Sequence, residues 1–306
     1  MSNNTLLELL NDRGIVLFDS AMGTALIDLG MPSGSRSESV NAENPEAVIQ
    51  VHRANIDAGS DIITSNTFGV SPLLAEGIKN GDFEEGLALL RAGMRCARTA
   101  ADLSGEKVLV ALGIGPTGCI VELSDDLSHK EAAQIFSIQA KEGEAEGADF
   151  ILIETMSDLE EVKDAISAAV SACDLPVLCT MTFGESGRSF MGADPVSFAK
   201  AAEEIGASAI GVNCTLAPAD ILHVVKTIAG ATKLPVIAQP NAGRPATSEG
   251  KQIYEMDQEV FAEKTAYLAD AGASMLGGCC GSTPKEIALL NSILITSGKR
   301  KERRTQ

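Results

Sequence analysis

The 306-residue sequence has no tryptophan, two tyrosines and three histidines, and aromatic residues make up only 4% of it. A site that encloses a quaternary ammonium group usually requires several aromatic rings, so this scarcity argues against a betaine-like ligand. Apolar runs are short, and none reaches the roughly 18 residues that a membrane-spanning helix needs. The first residues, MSNNTLLELLNDRG, lack the features of a signal peptide and predict a short helix ending at Gly14. We therefore expect a cytoplasmic protein with no membrane partner.

Basic residues are also few, because 24 lysines and arginines stand against 42 acidic residues, and the formal net charge is −18. Such a chain repels phosphate backbones, so nucleic acid is not an expected partner. The exception is the end of the chain, GKRKERRTQ, where basic residues cluster. We interpret residues 299–306 as a disordered basic tail, with docking to an acidic partner as the alternative. Seven cysteines, an odd number in a chain without an export signal, indicate reduced thiols rather than a disulfide framework.

Eight short apolar runs rich in valine, isoleucine and leucine recur along the chain, at residues 14–19, 61–66, 108–113, 149–155, 176–181, 208–214, 234–239 and 273–278. Continuous runs of this length are typical of strands covered on both faces, as in a parallel sheet beneath helices. Helix-start signals separate the runs: Asn44-Pro45, Ser71-Pro72, Asp194-Pro195, and capping boxes that begin at Ser128, Ser157 and Thr283. This alternation predicts an α/β fold, a single-domain (β/α)8 TIM barrel over residues 1–298.

Polar residues that end the apolar runs are the candidate site residues, because a barrel of this kind builds its active site at the carboxyl ends of its strands. They are Asp19, Asn66, Thr67, Glu154, Thr155, Asn213, Cys214, Gln239, Asn241, Cys279 and Cys280. The residues GIGPTG at 113–118 formally match a dinucleotide-binding fingerprint. Pro116 interrupts that match and no helix opens directly behind it, so we do not expect a nucleotide.

Three cysteines at these strand ends suggest a metal centre. Cys214 follows the sixth run, and the adjacent Cys279 and Cys280 follow the eighth, so a single strand separates them in a closed ring. Three thiolates with one open position are the ligand set of a catalytic zinc. The helix that opens at Thr283-Pro284 would direct its positive end towards the sulfurs and favour thiolates. Ordinary buried cysteines are the alternative, whereas a redox pair between neighbours would require a strained ring.

Several motifs resemble those of a known family. They are DSAMGT (19–24), TSNTFG (64–69), GIGPTG (113–118), MTFGESGRSFMG (181–192), IGVNC (210–214), PNAGRP (240–245) and GGCCGSTP (277–284). Together they are similar, over residues 8–295, to the homocysteine S-methyltransferase family, and within it to the homocysteine-binding barrel of the cobalamin-dependent methionine synthases. The resemblance implies methyl transfer to the thiolate of homocysteine, which gives methionine. Ser20 departs from the pattern, since glycine is usual there.

The resemblance also implies roles for individual residues. Cys214, Cys279 and Cys280 would bind a catalytic Zn²⁺ whose open position takes the substrate sulfur. Glu154 would receive the amino group of homocysteine, and Asn241 would hold the fourth metal position when substrate is absent. The implied substrate-binding residues are Asp19, Ser20, Ala21, Met22, Gly23, Asn66, Thr67, Glu154, Asn213 and Asn241, with residues 20–23 supplying backbone groups for the carboxylate and Asn213 lining the metal site.

The methyl donor is less constrained by the sequence. Similarity to cobalamin-dependent enzymes favours a methyl-corrinoid, but the chain has no D-x-H-x-x-G cobalamin signature. The corrinoid is therefore expected on a separate protein that acts in trans. S-methylmethionine or S-adenosylmethionine is the alternative donor. A further alternative is a barrel that binds zinc but activates a thiol only inside a larger complex.

Overall fold

The computed structural model describes residues 3–121, 127–248 and 251–303, and these residues form ten strands. The strands are β1 (Val16–Leu17), β2 (Ile62–Thr64), β3 (Leu109–Ile114), β4 (Phe150–Met156), β5 (Val177–Met181), β6 (Ala209–Asn213), β7 (Val236–Gln239), β8 (Pro245–Ser248), β9 (Lys251–Tyr254) and β10 (Met275–Leu276). Eight of them fall in the eight apolar runs. The antiparallel pair β8 and β9 lies outside the main sheet and was not predicted.

Twelve α-helices and one 3₁₀ turn (Ser37–Ser39) alternate with the strands in the described residues. The helices are α1 (Asn3–Arg13), α2 (Met22–Asp28), α3 (Val40–Glu43), α4 (Pro45–Ala58), α5 (Val70–Asn80), α6 (Glu84–Ser104), α7 (His129–Ala145), α8 (Leu159–Ala172), α9 (Pro195–Ile205), α10 (Pro218–Ala231), α11 (Gln258–Ala266) and α12 (Pro284–Thr296). None of these helices is both long and apolar enough to span a bilayer.

Most of the predicted helix starts are confirmed, and two are wrong. The capping boxes at Ser128 and Thr283 are both present. Helix α5 instead begins one residue before Ser71, whose hydroxyl donates to the carbonyl oxygen of Gly115 at 2.7 Å. Helix α8 is capped by Asp158 rather than Ser157, because the Asp158 carboxylate accepts from the backbone N–H of Glu160. The start of α5 therefore lies two residues before the predicted one, and the start of α8 lies one residue after it.

The eight parallel strands follow the order β1-β10-β7-β6-β5-β4-β3-β2, which brings β1 and β2 to the two ends of the sheet. Backbone and side chains bridge the seam between these ends. The Asp61 N–H donates to the Leu17 carbonyl oxygen at 2.7 Å, and the Asp61 carboxylate accepts from the Leu17 N–H at 2.9 Å. Further along the seam, the Asp19 carboxylate accepts from the Thr64 N–H at 2.7 Å. The predicted (β/α)8 barrel is therefore confirmed, as a single domain.

Side chains of each barrel strand alternate between two apolar clusters, as the period of two requires. On β4, Phe150 and Leu152 belong to the cluster inside the barrel. Ile151 and Ile153, the residues between and after them, belong to the larger cluster between the sheet and the helices. The strands are therefore buried on both faces, which is why their sequences are continuously apolar rather than alternating.

The C-terminal segment differs from the predicted disordered tail at residues 299–306. Arg300 forms an antiparallel bridge with Gly14 and is only 2% exposed. Its guanidinium pairs with the Asp61 carboxylate and donates to the carbonyl oxygens of Ile15 and Gly59 at 2.6 and 2.8 Å. A guanidinium with this many acceptors is stable inside the protein, so residues 299–303 pack against the amino-terminal end of the barrel. Residues 304–306 lie outside the described residues.

Candidate metal centre

The three cysteines predicted at the strand ends lie together at the mouth of the barrel. Cys214 directly follows β6, Cys279 and Cys280 follow β10, and β7 lies between these strands. The Sγ atoms of Cys214 and Cys280 are 3.8 Å apart, and all three Sγ atoms lie within 4.8 Å of one another. Two sulfurs bound at about 2.3 Å to one tetrahedral ion are about 3.8 Å apart, whereas disulfide sulfurs are about 2.05 Å apart. The spacing suits a shared metal ion.

The backbone at Cys214 is strained. Its φ is 61° and that of Thr215 is 63°, in the left-handed region that residues other than glycine rarely adopt. The Cys214 N–H donates to the Gln239 carbonyl oxygen at 3.0 Å, which extends the pairing of β6 with β7 by one residue. Thr155, at the end of β4, has a φ of 63° as well. Backbone strain of this kind collects at functional sites, where surrounding contacts enforce it.

The Cys279-Cys280 segment is held between the end of β7 and the start of α12. The Cys279 N–H donates to the Pro240 carbonyl oxygen at 2.8 Å, and the Ala242 N–H donates to the Cys280 carbonyl oxygen at 3.0 Å. The Ser282 hydroxyl donates to the Cys279 carbonyl oxygen at 2.7 Å and lies where a Cβ on Gly278 would be, so glycine is required there. The 13-residue helix α12 then begins four residues after Cys280.

The three sulfurs share negative charge. Hydrogen bonds from the Cys214 and Cys279 thiols lower the pKa of Cys280 to about 3, and a hydrogen bond from the Tyr254 hydroxyl contributes. The pKa of Cys279 is raised well above its usual value by its hydrogen bonds to Cys214 and Cys280, and by burial. The surroundings therefore favour the thiolate at Cys280 and the thiol at Cys214 and Cys279. A divalent cation would replace the remaining thiol protons, because metal binding deprotonates its thiol ligands.

Asn213, at the end of β6, connects the cysteines to Glu154. Its Nδ2 lies 3.4 Å from a Glu154 carboxylate oxygen, 2.8 Å from the Thr155 hydroxyl oxygen and 3.9 Å from the Cys279 Sγ. Its Oδ1 accepts from the Thr155 N–H and from the Thr180 hydroxyl, both at 2.9 Å. The carboxylate and the sulfur are therefore joined by a single amide that is only 1% exposed.

Two carboxyl groups next to the cysteines are harder to ionise than usual. Burial, with the negative charges of Asp19 and Cys280, raises the pKa of Glu154 to about 8. Burial also raises the pKa of Asp19 to about 7, although hydrogen bonds from Thr64 oppose the shift. Neighbouring negative charges raise the pKa of each carboxyl group, and a nearby cation would stabilise the same carboxylates. The site thus favours positive charge, from a metal ion or from a ligand ammonium group.

A buried acceptor without a partner supports the metal fit. The Oδ1 of Asn241, a residue that is 2% exposed, accepts no hydrogen bond from any described residue, and the same holds for the Oε1 of Gln239. Buried acceptors of this kind are normally satisfied. The Asn241 N–H donates to the Leu216 carbonyl oxygen at 3.0 Å, which sets the residue between the two cysteine-bearing segments. An oxygen donor beside three thiols suits zinc, which accepts both ligand types.

The backbone N–H groups of the predicted residues 20–23 differ in whether they already have a hydrogen-bond acceptor. The N–H groups of Ser20 and Ala21 already donate, to the Asn55 Oδ1 at 2.9 Å and the Ser282 hydroxyl at 3.3 Å. Met22 and Gly23 open α2, so their N–H groups lack an intrahelical acceptor. The Met22 side chain packs on an apolar cluster behind the barrel, whereas no heavy atom lies within 4 Å of a Cβ built on Gly23. Gly23 therefore borders open space.

Asn66 and Thr67 use their polar groups within the loop after β2. The Asn66 amide donates to the Ser37 carbonyl oxygen and to the Asn41 Oδ1, each at 2.8 Å. The Thr67 hydroxyl donates to the Gly113 carbonyl oxygen at 2.7 Å. These contacts fix the loop and do not bring either side chain to the cysteines.

Two residues near the site were not predicted. Tyr254 ends β9, and its hydroxyl hydrogen-bonds to the Cys280 sulfur, while its ring lies where a Cβ on Gly281 would be. The sequence places it near the last helix instead, and the only hint of a hairpin is the Glu249-Gly250 dipeptide between two polar stretches. Thr180 does not end its apolar run, because Met181 follows it, so the position of a polar residue at a strand end does not identify it.

Comparison with known proteins agrees with this geometry. The profile of the family described as homocysteine S-methyltransferase matches residues 16–294. The methionine synthase of Mycobacterium tuberculosis is 30% identical over 298 aligned positions, which cover 92% of this chain and 25% of that protein. The methionine synthase of Mycobacterium leprae is 28% identical over 298 aligned positions, which cover 92% of this chain and 24% of that protein. The chain thus spans about a quarter of the length of these curated relatives.

Among solved structures, the homocysteine methyltransferase MmuM from Escherichia coli, in its metallated form, has the same fold. It superposes with a TM-score of 0.80 at 24% identity, over 95% of this chain and 100% of its own. The profile match extends over the whole barrel and includes all three clustered cysteines. The chain belongs to the homocysteine S-methyltransferase family.

Proposed function

We propose that this protein is a zinc-dependent methyltransferase that moves a methyl group from an activated donor to the sulfur of homocysteine, giving methionine. The observation that carries the proposal is the cluster of Cys214, Cys279 and Cys280, whose Sγ atoms lie within 4.8 Å of one another at the barrel mouth. Family membership and the methionine synthase relatives support homocysteine as the acceptor. The homocysteine methyltransferase MmuM, which has the same fold, has a metallated form, and this supports a bound metal here.

The three cysteinates would hold the zinc, with Asn241 as a candidate fourth ligand in the substrate-free protein. When bound, zinc would supply the positive charge that keeps an incoming thiol deprotonated at neutral pH, where a free thiol with a pKa near 8.5 is mostly protonated. Three cysteinates would give such a centre net negative charge, so a substrate sulfur would keep its electron density. Methyl transfer would form the bond between that sulfur and the methyl carbon as the bond between methyl and donor breaks.

The other site residues would bind the amino-acid part of the substrate. Glu154 would lose its proton and pair with the ammonium group, since its carboxylate faces the site through the Asn213 amide. The free N–H groups of Met22 and Gly23 at the start of α2 would receive the carboxylate. Asp19 lies beside these groups, with its own carboxylate bound to Thr64. Substrate is thereby oriented with its sulfur towards the three cysteines.

We further propose a methyl-corrinoid on a separate protein as the donor, on the strength of the similarity to methionine synthases. S-methylmethionine or S-adenosylmethionine is the alternative donor. Tyr254 is one aromatic ring at the site, and the other tyrosine, Tyr267, lies in the turn that follows α11, so an aromatic cage for betaine is not formed by tyrosines.

The test is an assay of purified protein for bound zinc and for methionine formation from homocysteine with methylcobalamin, S-methylmethionine or S-adenosylmethionine. We expect one zinc per chain and turnover with one donor. Cys279→Ser should lose both, whereas Cys173→Ser, a partly exposed thiol at the end of α8, should lose neither. Stoichiometric zinc without turnover from any donor would instead indicate a thiol-activating subunit of a larger complex. Absence of zinc after reconstitution would contradict the proposal.

A further inference from the structure

Thr180 lies on β5 and is fully buried. It is not one of the proposed metal ligands or substrate-binding residues. Its hydroxyl donates to the Asn213 Oδ1 at 2.9 Å. We infer that Thr180 is a positioning residue that fixes the orientation of the Asn213 amide, and through it the hydrogen bonding of Cys279 and Glu154. This inference rests on the proposed zinc site and adds a residue to it.

The donors around Asn213 leave one orientation of its amide. A carbonyl oxygen has two lone pairs, and here the Thr180 hydroxyl and the Thr155 N–H fill both of them. The Nδ2 hydrogens must then point the other way, towards the Thr155 hydroxyl oxygen at 2.8 Å, the Glu154 carboxylate at 3.4 Å and the Cys279 sulfur at 3.9 Å. A reversed amide would set its oxygen against the Glu154 carboxylate and the Cys279 sulfur, and its hydrogens against the Thr155 N–H. The Thr155 N–H, which can only donate, selects the observed orientation, and the Thr180 hydroxyl is the second donor that holds the Asn213 oxygen in it.

Packing alone does not explain a threonine at this position. Leu178, on the same face of β5, belongs to the apolar cluster inside the barrel, and Cys179 and Met181 belong to the outer cluster. Valine has the same branched shape and suits a buried strand equally well. The hydroxyl, and not the shape, therefore distinguishes Thr180, because it is the group that meets Asn213.

The structural consequence concerns the electron density on one sulfur. An N–H that donates to a metal-bound thiolate withdraws charge from it and holds its side chain in direction. The Nδ2 of Asn213 is 3.9 Å from the Cys279 Sγ, within the range of a hydrogen bond to sulfur. Without the Thr180 hydroxyl, the Asn213 amide is held by one donor fewer, so the Cys279 sulfur loses part of this contact and is less firmly directed towards a metal ion. The contact of the same amide with Glu154 is weakened in the same way.

The test compares the wild type with Thr180→Val, which removes the hydroxyl, and Thr180→Ser, which keeps it. Zn²⁺ affinity is measured by competition with a coloured chelator, and the thiolate-to-metal charge-transfer band is recorded with Co²⁺ in place of zinc. Thr180→Val should weaken Zn²⁺ binding about tenfold, the lower end for groups that orient metal ligands. It should also move the Co²⁺ band to longer wavelength and raise the KM for homocysteine more than it lowers kcat. Thr180→Ser should restore wild-type behaviour.

A matched control is Thr265→Val in α11. Thr265 is also fully buried, and its hydroxyl has no hydrogen-bond partner in the described parts of the chain. The same chemical change there should leave the Zn²⁺ affinity and the Co²⁺ band unchanged. If Thr180→Val does not fold, as judged by circular dichroism, Thr180→Ala replaces it with the same expected band shift.

Three results would overturn the inference while leaving the proposed function intact. They are a Thr180→Val protein with wild-type Zn²⁺ affinity and Co²⁺ spectrum, a Thr180→Ser protein as impaired as Thr180→Val, and a Thr265→Val protein with the same band shift. A wild-type protein whose Co²⁺ form has no thiolate charge-transfer band would overturn the zinc site itself, and the inference with it.

Discussion

Replacement of Arg300 by methionine tests whether the C-terminal segment holds the barrel closed. The Arg300 guanidinium contacts both carboxylate oxygens of Asp61, the Asn291 Oδ1 and the carbonyl oxygens of Ile15 and Gly59. Methionine fills much of the same volume but donates to none of these groups. Two buried carbonyl oxygens would lose a donor, while Asp61 would keep its 2.8 Å pair with Arg13.

The expected loss is about 3–5 kcal/mol in the free energy of unfolding, the usual cost of removing one partner from a buried ion pair. An entropy of unfolding of about 2.1 cal/mol/K per residue gives about 0.64 kcal/mol/K for 306 residues. The Tm should therefore fall by about 5–8 °C, as measured by circular dichroism, provided that unfolding is reversible. Lys301→Met is the control, because the exposed Lys301 Nζ makes one contact, to the Asn11 carbonyl oxygen, and its loss should cost less than about 0.5 kcal/mol.

Zinc content should be the same in both variants, since Arg300 lies at the amino-terminal end of the barrel and the cysteines lie at the carboxyl end. An Arg300→Met protein with the Tm of the Lys301→Met control would show that residues 299–303 are not part of the stable fold. The observed packing of this segment would then contribute nothing to stability.

Three further predictions concern the mouth of the barrel. Glu154→Gln should weaken methionine binding about 10- to 100-fold, through loss of a charge-assisted bond. Because the wild-type pKa of Glu154 is about 8, wild-type binding should tighten as the pH rises from 6 to 8, whereas the variant shows no such slope in calorimetry; equal slopes would refute the pairing. For Asp19 the folded pKa of about 7 exceeds the ordinary value of 3.8, so its contribution to stability falls as pH rises between these values. Asp19→Asn should flatten that part of the stability curve, and an unchanged curve would show that Asp19 ionises normally. Finally, a chelator should abolish activity and leave the far-UV circular dichroism intact, because the barrel core is apolar; global unfolding on chelation would contradict this.

The sequence predicts the barrel because its strands are buried on both faces and therefore appear as eight uninterrupted apolar runs. The clustering of Cys214 with Cys279 and Cys280 follows from the same pattern, since the carboxyl ends of parallel strands meet at one edge. The pattern does not say where a side chain points. Asn66 and Thr67 follow β2 as predicted, but their polar groups bind within the loop.

Two other features depend on contacts that are distant along the chain. The hairpin of β8 and β9 has a polar sequence, so nothing in its apolar pattern reveals that it carries Tyr254 to the Cys280 sulfur. Arg300 lies in a stretch whose basic composition is typical of a solvated tail. It is buried because the acceptors at Gly59 and Asp61, about 240 positions earlier, face it across the bottom of the barrel.

The most direct test of the zinc site is X-ray absorption at the zinc K-edge, recorded on the purified, zinc-loaded protein and on Cys279→Ser. We predict three sulfur neighbours at about 2.3 Å and one lighter atom in the wild type, and one sulfur fewer or no stoichiometric zinc in the variant. A zinc ion surrounded only by nitrogen and oxygen, or a wild-type protein that binds no zinc, would contradict the assignment of Cys214, Cys279 and Cys280 as its ligands.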